Sequence, residues 1–172
     1  MAEPVALREL APPLLLNLRG DPGADGFASA VAEALGVAAP TEPNTVASNG
    51  ELDVLWLGPD EWLVTAPAAR GELAERLDAA LAGQHHSVID VSQGRAVLEL
   101  VGAGARAVLA QGTSLDLRAR AFGPERCAQT TLARVPVILQ QIDGAPRFRI
   151  FVRPSFAPYV SAWLQSTLAE LA

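Results

Sequence analysis

The chain has 172 residues, half of them apolar and 19% charged, with a net charge of −6 and one cysteine. This is the composition of a globular protein able to bury a core without staples, and it excludes an internal disulfide and any metal site built from several cysteines. All 13 basic residues are Arg, which also excludes a lysine Schiff base and a phosphate-loop lysine.

"LLLNLRG" (14–20) reads as a short strand. In "DGFASAVAEALG" Asp25 is a candidate N-cap, Phe27, Val31 and Leu35 recur on one helical face, and Gly36 stands where the helix should stop. Residues 37–51 read as a loop from their Pro, Asn and Ser. "LDVLWL" and "EWLVTA" then flank a turn that Gly58 opens and Pro59 continues, so one hairpin holds Trp56 and Trp62, two of the three tryptophans. A two-residue loop would set these rings on opposite sheet faces, and a three-residue loop would set them on one. "ARGELAERLDAALAG" predicts a helix with Leu73, Leu77 and Leu81 on one side and a Glu72–Arg76 pair, and "HHSVID" (85–90) predicts a strand. The order βαββαβ is that of a ferredoxin-like lobe.

The second half begins with the strand "RAVLELVG" (95–102) and the short helix "AGARAVLAQG", which ends near Gly112. After the loop "TSLDLRARAFGPE" come three strands, "RCAQTTL", "VPVILQQI" and "RFRIFVR", with Asp143-Gly144 as a turn signal between the last two. The last helix lies in "PSFAPYVSAWLQSTLAELA": Ser155 is its candidate cap, and Phe156, Tyr159, Val160, Trp163, Leu164 and Leu168 form its apolar stripe, with Trp163 read as core. The expected architecture is α+β. Residues 1–172 are expected to form a single compact unit of two small lobes, with mainly antiparallel sheets and packed helices. Lobe 1 spans about 10–90 (βαββαβ) and lobe 2 about 91–172 (βαβββα).

Little in the chain promises catalysis. His85 and His86 are adjacent in a predicted strand, so they point to opposite faces and cannot chelate together. No G-x-S-x-G elbow is present, and Cys127 reads as a core residue. "GAGARAVLAQG" (102–112) lacks the third glycine of a dinucleotide loop, which leaves tight helix packing as its explanation. Asp60 is favoured by its turn, and Asp90 can cap the turn before strand 95–102. No catalytic, cofactor-binding or metal-binding residue is assigned. With no apolar run of membrane length and no basic leader, a cytoplasmic protein without membrane partners is expected.

Charge divides the chain. Residues 1–90 hold 14 acids against 4 arginines, whereas residues 91–172 hold 5 acids against 9 arginines. That excess is too small for a nucleic-acid binder. It reads either as a solvated surface or as a docking face. On the docking reading the interface candidates are Arg118, Arg120 and Arg126 in and beside "LRARAFGPER", Phe122 as an exposed aromatic, and Trp56 and Trp62 of the hairpin.

Four stretches carry a resemblance: "LWLGPDEWLV", "VIDVSQGRAVLELVGAGARAVLAQGTSLDL", "RAFGPERCAQTTLARVPVIL" and "FRIFVRPSFAPYVSAWL". In this order, over about residues 50–168, they resemble the gamma subunits of heterotetrameric sarcosine oxidases, which are similar to the folate-binding half of the glycine-cleavage T-protein. The resemblance implies a T-protein-like fold and a non-catalytic structural subunit. The complex it implies oxidatively demethylates sarcosine to glycine with O2, giving H2O2 and formaldehyde or 5,10-methylenetetrahydrofolate. Its partners would be alpha, beta and delta subunits, with FAD, FMN, NAD, tetrahydrofolate and zinc held by those subunits rather than by this chain. Where the T-protein places its catalytic aspartate and paired glycines, this chain has "QTTLARVPVILQQ" (129–141), with neither. The alternative is a stand-alone folate-binding or one-carbon-transfer protein of the same superfamily.

Overall fold

The computed structural model describes residues 5–171. The chain divides into two compact units, residues 12–93 and, in the other, the residues up to 11 together with those from 94 onward. Both are α+β with antiparallel sheets. The opening strand β1 (Ala6–Glu9) belongs to the second of these units.

The 12–93 unit runs β2 (Leu14–Gly20), α1 (Phe27–Leu35), β3 (Val46–Ser48), β4 (Asp53–Gly58), β5 (Glu61–Ala66), α2 (Glu72–Ala80) and β6 (His86–Asp90). Its sheet order is β3-β4-β5-β2-β6, a ferredoxin-like arrangement with β3 added at one edge. β3 lies inside the segment expected to be a loop. Three residues are too few to show a period, and β3 is made by pairing with β4 and by burial of Val46.

One sheet face supplies Leu16, Leu18, Val54, Trp62 and Val64 to a core closed by Phe27 and Val31 of α1 and Leu73 and Leu77 of α2. Gly20 lets α1 seat, because a Cβ there would lie 2.2 Å from Phe27 Cε2. The cap of α1 is Gly26 at φ 82°, not Asp25, and no side chain caps the helix. Its C-terminal stop at Gly36 holds: φ is 72° and the N–H donates to the Ala32 carbonyl. Glu72 pairs with Arg70 (2.6 Å) instead of Arg76. Arg76 instead donates to the Glu33 carbonyl at 3.2 Å, tying α2 to α1.

The β4–β5 hairpin turns on two residues, since Gly58 pairs with Glu61. The tryptophans nevertheless share a face. The register shifts between Trp56 and Gly58, so Leu57 bulges and Trp56 lies directly opposite Trp62. One bulged residue reverses the parity that the loop length alone would set.

The other unit continues with β7 (Ala96–Val101), α3 (Ala105–Ala110), β8 (Cys127–Leu132), β9 (Val135–Asp143), β10 (Arg147–Val152) and α4 (Ala157–Leu171). Its order, β1-β7-β10-β9-β8, repeats that of the first sheet position for position. β1 takes the place that β6 holds there, antiparallel to β7 as β6 is to β2. The unit is therefore a permuted copy of the first, with its last strand drawn from the start of the chain. "ALRE" is too short and too charged to announce a strand, and register alone seats Leu7 opposite Leu100.

Leu98, Leu100, Leu139, Phe148, Ile150 and Val152 pack against Val108 and Leu109 of α3 and Val160 and Leu164 of α4. A 3-10 turn, Pro154–Phe156, precedes α4 and carries no side-chain cap, so Ser155 does not have the expected role. The buried stripe of α4 is Ala157, Val160, Leu164 and Thr167. Phe156 and Tyr159, expected on that stripe, are 40% and 51% exposed. Trp163 is half-buried over Gly112, where a Cβ would stand 2.5 Å from Trp163 Cη2. The two-residue turn between β8 and β9 is unusual: Ala133 and Arg134 have φ of 49° and 71°, a conformation ordinarily given to Asn-Gly.

Candidate functional site

The six interface candidates separate by burial. Trp62 is fully buried, its ring centroid 5.7 Å from that of Phe27 and its Nε1–H donating to the Pro40 carbonyl at 2.8 Å. That satisfied N–H makes the residue part of the core. Trp56 is half-buried against the same cluster. Phe122 is 4% exposed and stacked on Phe148 at 6.5 Å, which corrects its reading as an exposed aromatic. Arg126 is half-buried, and its carbonyl accepts the Gln141 N–H at 3.0 Å.

Arg118 and Arg120 are exposed. Arg118 grips Asp116 bidentately, Nε to Oδ1 at 2.8 Å and Nη2 to Oδ2 at 2.5 Å. That charge-assisted fork, helped by the Arg118 N–H and by Arg120 nearby, holds the Asp116 carboxyl down at about 2 and raises the Arg118 guanidinium.

What fixes this loop is a residue that no motif in the sequence marks. Arg106 of α3 donates through Nη1 to the carbonyls of Leu117 and Phe122, and through Nη2 to Gln141 Oε1 at 2.7 Å. Its guanidinium lies 5.2 Å from the Phe148 ring centroid, and burial pushes its pKa down. The loop between α3 and β8 is thus a buckled, hydrogen-bonded segment that presents Arg118 and Arg120 on a fixed base. Only the i, i+11 and i, i+16 partnerships reveal this, and no local motif encodes them.

The remaining candidates for chemistry are structural. Cys127 is fully buried. His85 is exposed, whereas His86 bonds the Gln84 carbonyl through Nδ1 (2.9 Å) and Asp78 through Nε2 (3.0 Å); these acceptors raise its pKa. Asp90 accepts from the N–H and hydroxyl of Ser92, which lowers its pKa and caps the 3-10 turn Ser92–Gly94. Gly104 in the glycine-rich stretch abuts Val5 Cγ2 at 2.9 Å from an added Cβ, as tight packing requires. Among the described residues no three of His, Cys, Asp and Glu come together as a metal site would need. The 129–141 hairpin presents amides, hydroxyls, apolar side chains and the Arg134 guanidinium, and no carboxylate.

Residues 19–170 match the model of the family described as "Sarcosine oxidase, gamma subunit family". The chain belongs to that family. The sarcosine oxidase subunit gamma of Corynebacterium sp. (strain P-1) is 43% identical to it over 169 residues, 98% of this chain and 82% of the relative. A chain of the solved heterotetrameric sarcosine oxidase from Corynebacterium sp. U-96 in complex with pyrrole 2-carboxylate superposes with a TM-score of 0.90 at 39% identity, covering 96% of this chain and 84% of that one. The glycine cleavage system aminomethyltransferase T of Bartonella henselae shares the fold at 19% identity, with a TM-score of 0.67 over 93% of this chain and 45% of that chain. The expected membership and the expected T-protein-like fold are both borne out.

Proposed function

We propose that the chain is the non-catalytic gamma subunit of a heterotetrameric sarcosine oxidase. It assembles in the cytoplasm with alpha, beta and delta subunits. The complex oxidatively demethylates sarcosine to glycine with O2, yielding H2O2 and formaldehyde or 5,10-methylenetetrahydrofolate. FAD, FMN, NAD, tetrahydrofolate and zinc are held by the other subunits. The observation that carries this reading is the likeness to sarcosine oxidase gamma subunits along almost the whole chain. The donor set supports it too. The hairpin 129–141 offers no carboxylate for proton transfer, and Val5 occupies the space beside Gly104. No described helix is long and apolar enough to cross a membrane.

In this reading Arg118 and Arg120 dock onto a partner. Arg106 has already ordered their loop, so association spends little entropy on it. Co-expression with the three other subunits tests the reading: one stable complex containing all four chains is expected. Changing Arg118 and Arg120 to Glu should weaken association roughly tenfold and flatten its salt dependence while the chain stays folded. A chain that purifies alone from the co-expression and binds tetrahydrofolate by itself would refute the reading and favour a stand-alone folate protein.

A further inference from the structure

At one end of the second unit's sheet lies a row of side chains that none of the roles above uses. One residue beyond the Ala96–Val152 pair stand Arg95 and Arg153. Continuing the register across β9 and β8 brings Pro136 beside Arg153 and Thr131 beside Pro136. With Gln129, these residues line a recess of about 380 Å³, and among the described residues no acid lines it. Arg95 is half-buried and Arg153 exposed, and neither makes an ion pair among the described residues.

Two cations facing each other across neighbouring strands repel. The Arg95 guanidinium responds as expected: burial, and after it the charge of Arg153, pulls its pKa down. Burying one cation partway beside a second is unfavourable until an anion bridges them. Guanidinium forks bind oxyanions bidentately, and the Thr131 hydroxyl adds a donor from the same row. Arginines that were merely solvated would stand apart, or beside one of the chain's 19 acids.

We propose that this recess is an oxyanion site, in which Arg95 and Arg153 hold a carboxylate or phosphate group between them. The group is either a free small anion or a carboxylate that another subunit inserts, and only the second source rests on the assembly reading above.

The test titrates the full chain with inorganic phosphate and, separately, with glutarate, at constant ionic strength against chloride, following its melting temperature and its binding heat. Saturable binding is expected, weakened roughly tenfold in Arg153→Gln. Arg95→Gln, the half-buried position, serves as a second variant with the same expectation. In chloride alone Arg153→Gln should melt no lower than wild type, because it relieves repulsion; a merely structural arginine would lower the melting temperature. If neither free anion binds but Arg153→Gln loosens the four-subunit complex and flattens its salt dependence, the oxyanion is a partner's carboxylate. If phosphate and glutarate leave wild type unmoved and the complex is indifferent to Arg153→Gln, the proposal is overturned. A chain that binds phosphate through Arg153 yet joins no complex would sink the assembly reading and leave this site standing.

Discussion

Trp62→Ala probes the core of the 12–93 unit directly. The substitution removes a fully buried ring that contacts Phe27 and leaves the Pro40 carbonyl without its 2.8 Å donor. Deleting a buried Trp costs about 3–5 kcal/mol, because lost transfer energy and an unfilled cavity add. For a chain of this size that lowers the melting temperature by roughly 12 °C. Trp62→Phe separates the parts. It keeps an aromatic ring against Phe27 but removes three ring atoms, the N–H donor among them, and should cost less than Trp62→Ala, about 1–3 kcal/mol. Trp56→Ala, at a half-buried position on the same face, should fall well below Trp62→Ala. Chemical denaturation of the three variants gives the ranking. If Trp62→Ala unfolds within about 1 kcal/mol of wild type, or if Trp56→Ala is the costlier, then the bulge at Leu57 does not set the facing described here.

Arg134→Gly should stabilise the chain by about 1 kcal/mol, because φ 71° strains any residue with a Cβ; a lower melting temperature would show that the arginine side chain matters more than the strain. Arg106→Ala removes the two hydrogen bonds that hold the loop and a third to Gln141 of β9, and should raise hydrogen exchange across residues 117–122 well above that of the β7–β10 ladder, at a cost of about 2–3 kcal/mol. Asp116 titrates at about 2 in the fold, below its ordinary 3.8, so its stabilising effect is complete above about 3.8 and is lost as pH falls toward 2. Urea midpoints of wild type and Asp116→Asn should therefore converge over that acid window and not at neutral pH.

Where one face of an element meets one layer, the sequence alone settles the structure. Phe27, Val31 and Leu35, then Leu73 and Leu77, repeat with the helical period, and each is buried where that period puts it. Glycine at a position of positive φ is equally legible, as Gly36 shows. The family relationship is legible too, since long ordered stretches carry it, and so is the lack of a carboxylate in residues 129–141. What the sequence leaves open depends on which distant residue arrives opposite which. The bulge at Leu57 reverses the parity of the tryptophan hairpin, because facing in a sheet is decided by pairing and one extra residue inverts it. β1 finds its place beside β7 only when the sheet is complete. Phe122 reads as a surface aromatic in a polar loop, yet Phe148 and the Arg106 bonds draw it into the core. Arg95 and Arg153 lie 58 residues apart in the chain and become neighbours because β7 and β10 pair in one register. Local propensity acts within a turn or two, whereas register, bulges and long-range hydrogen bonds act across the fold. Those decided which arginines meet and which aromatic rings are hidden.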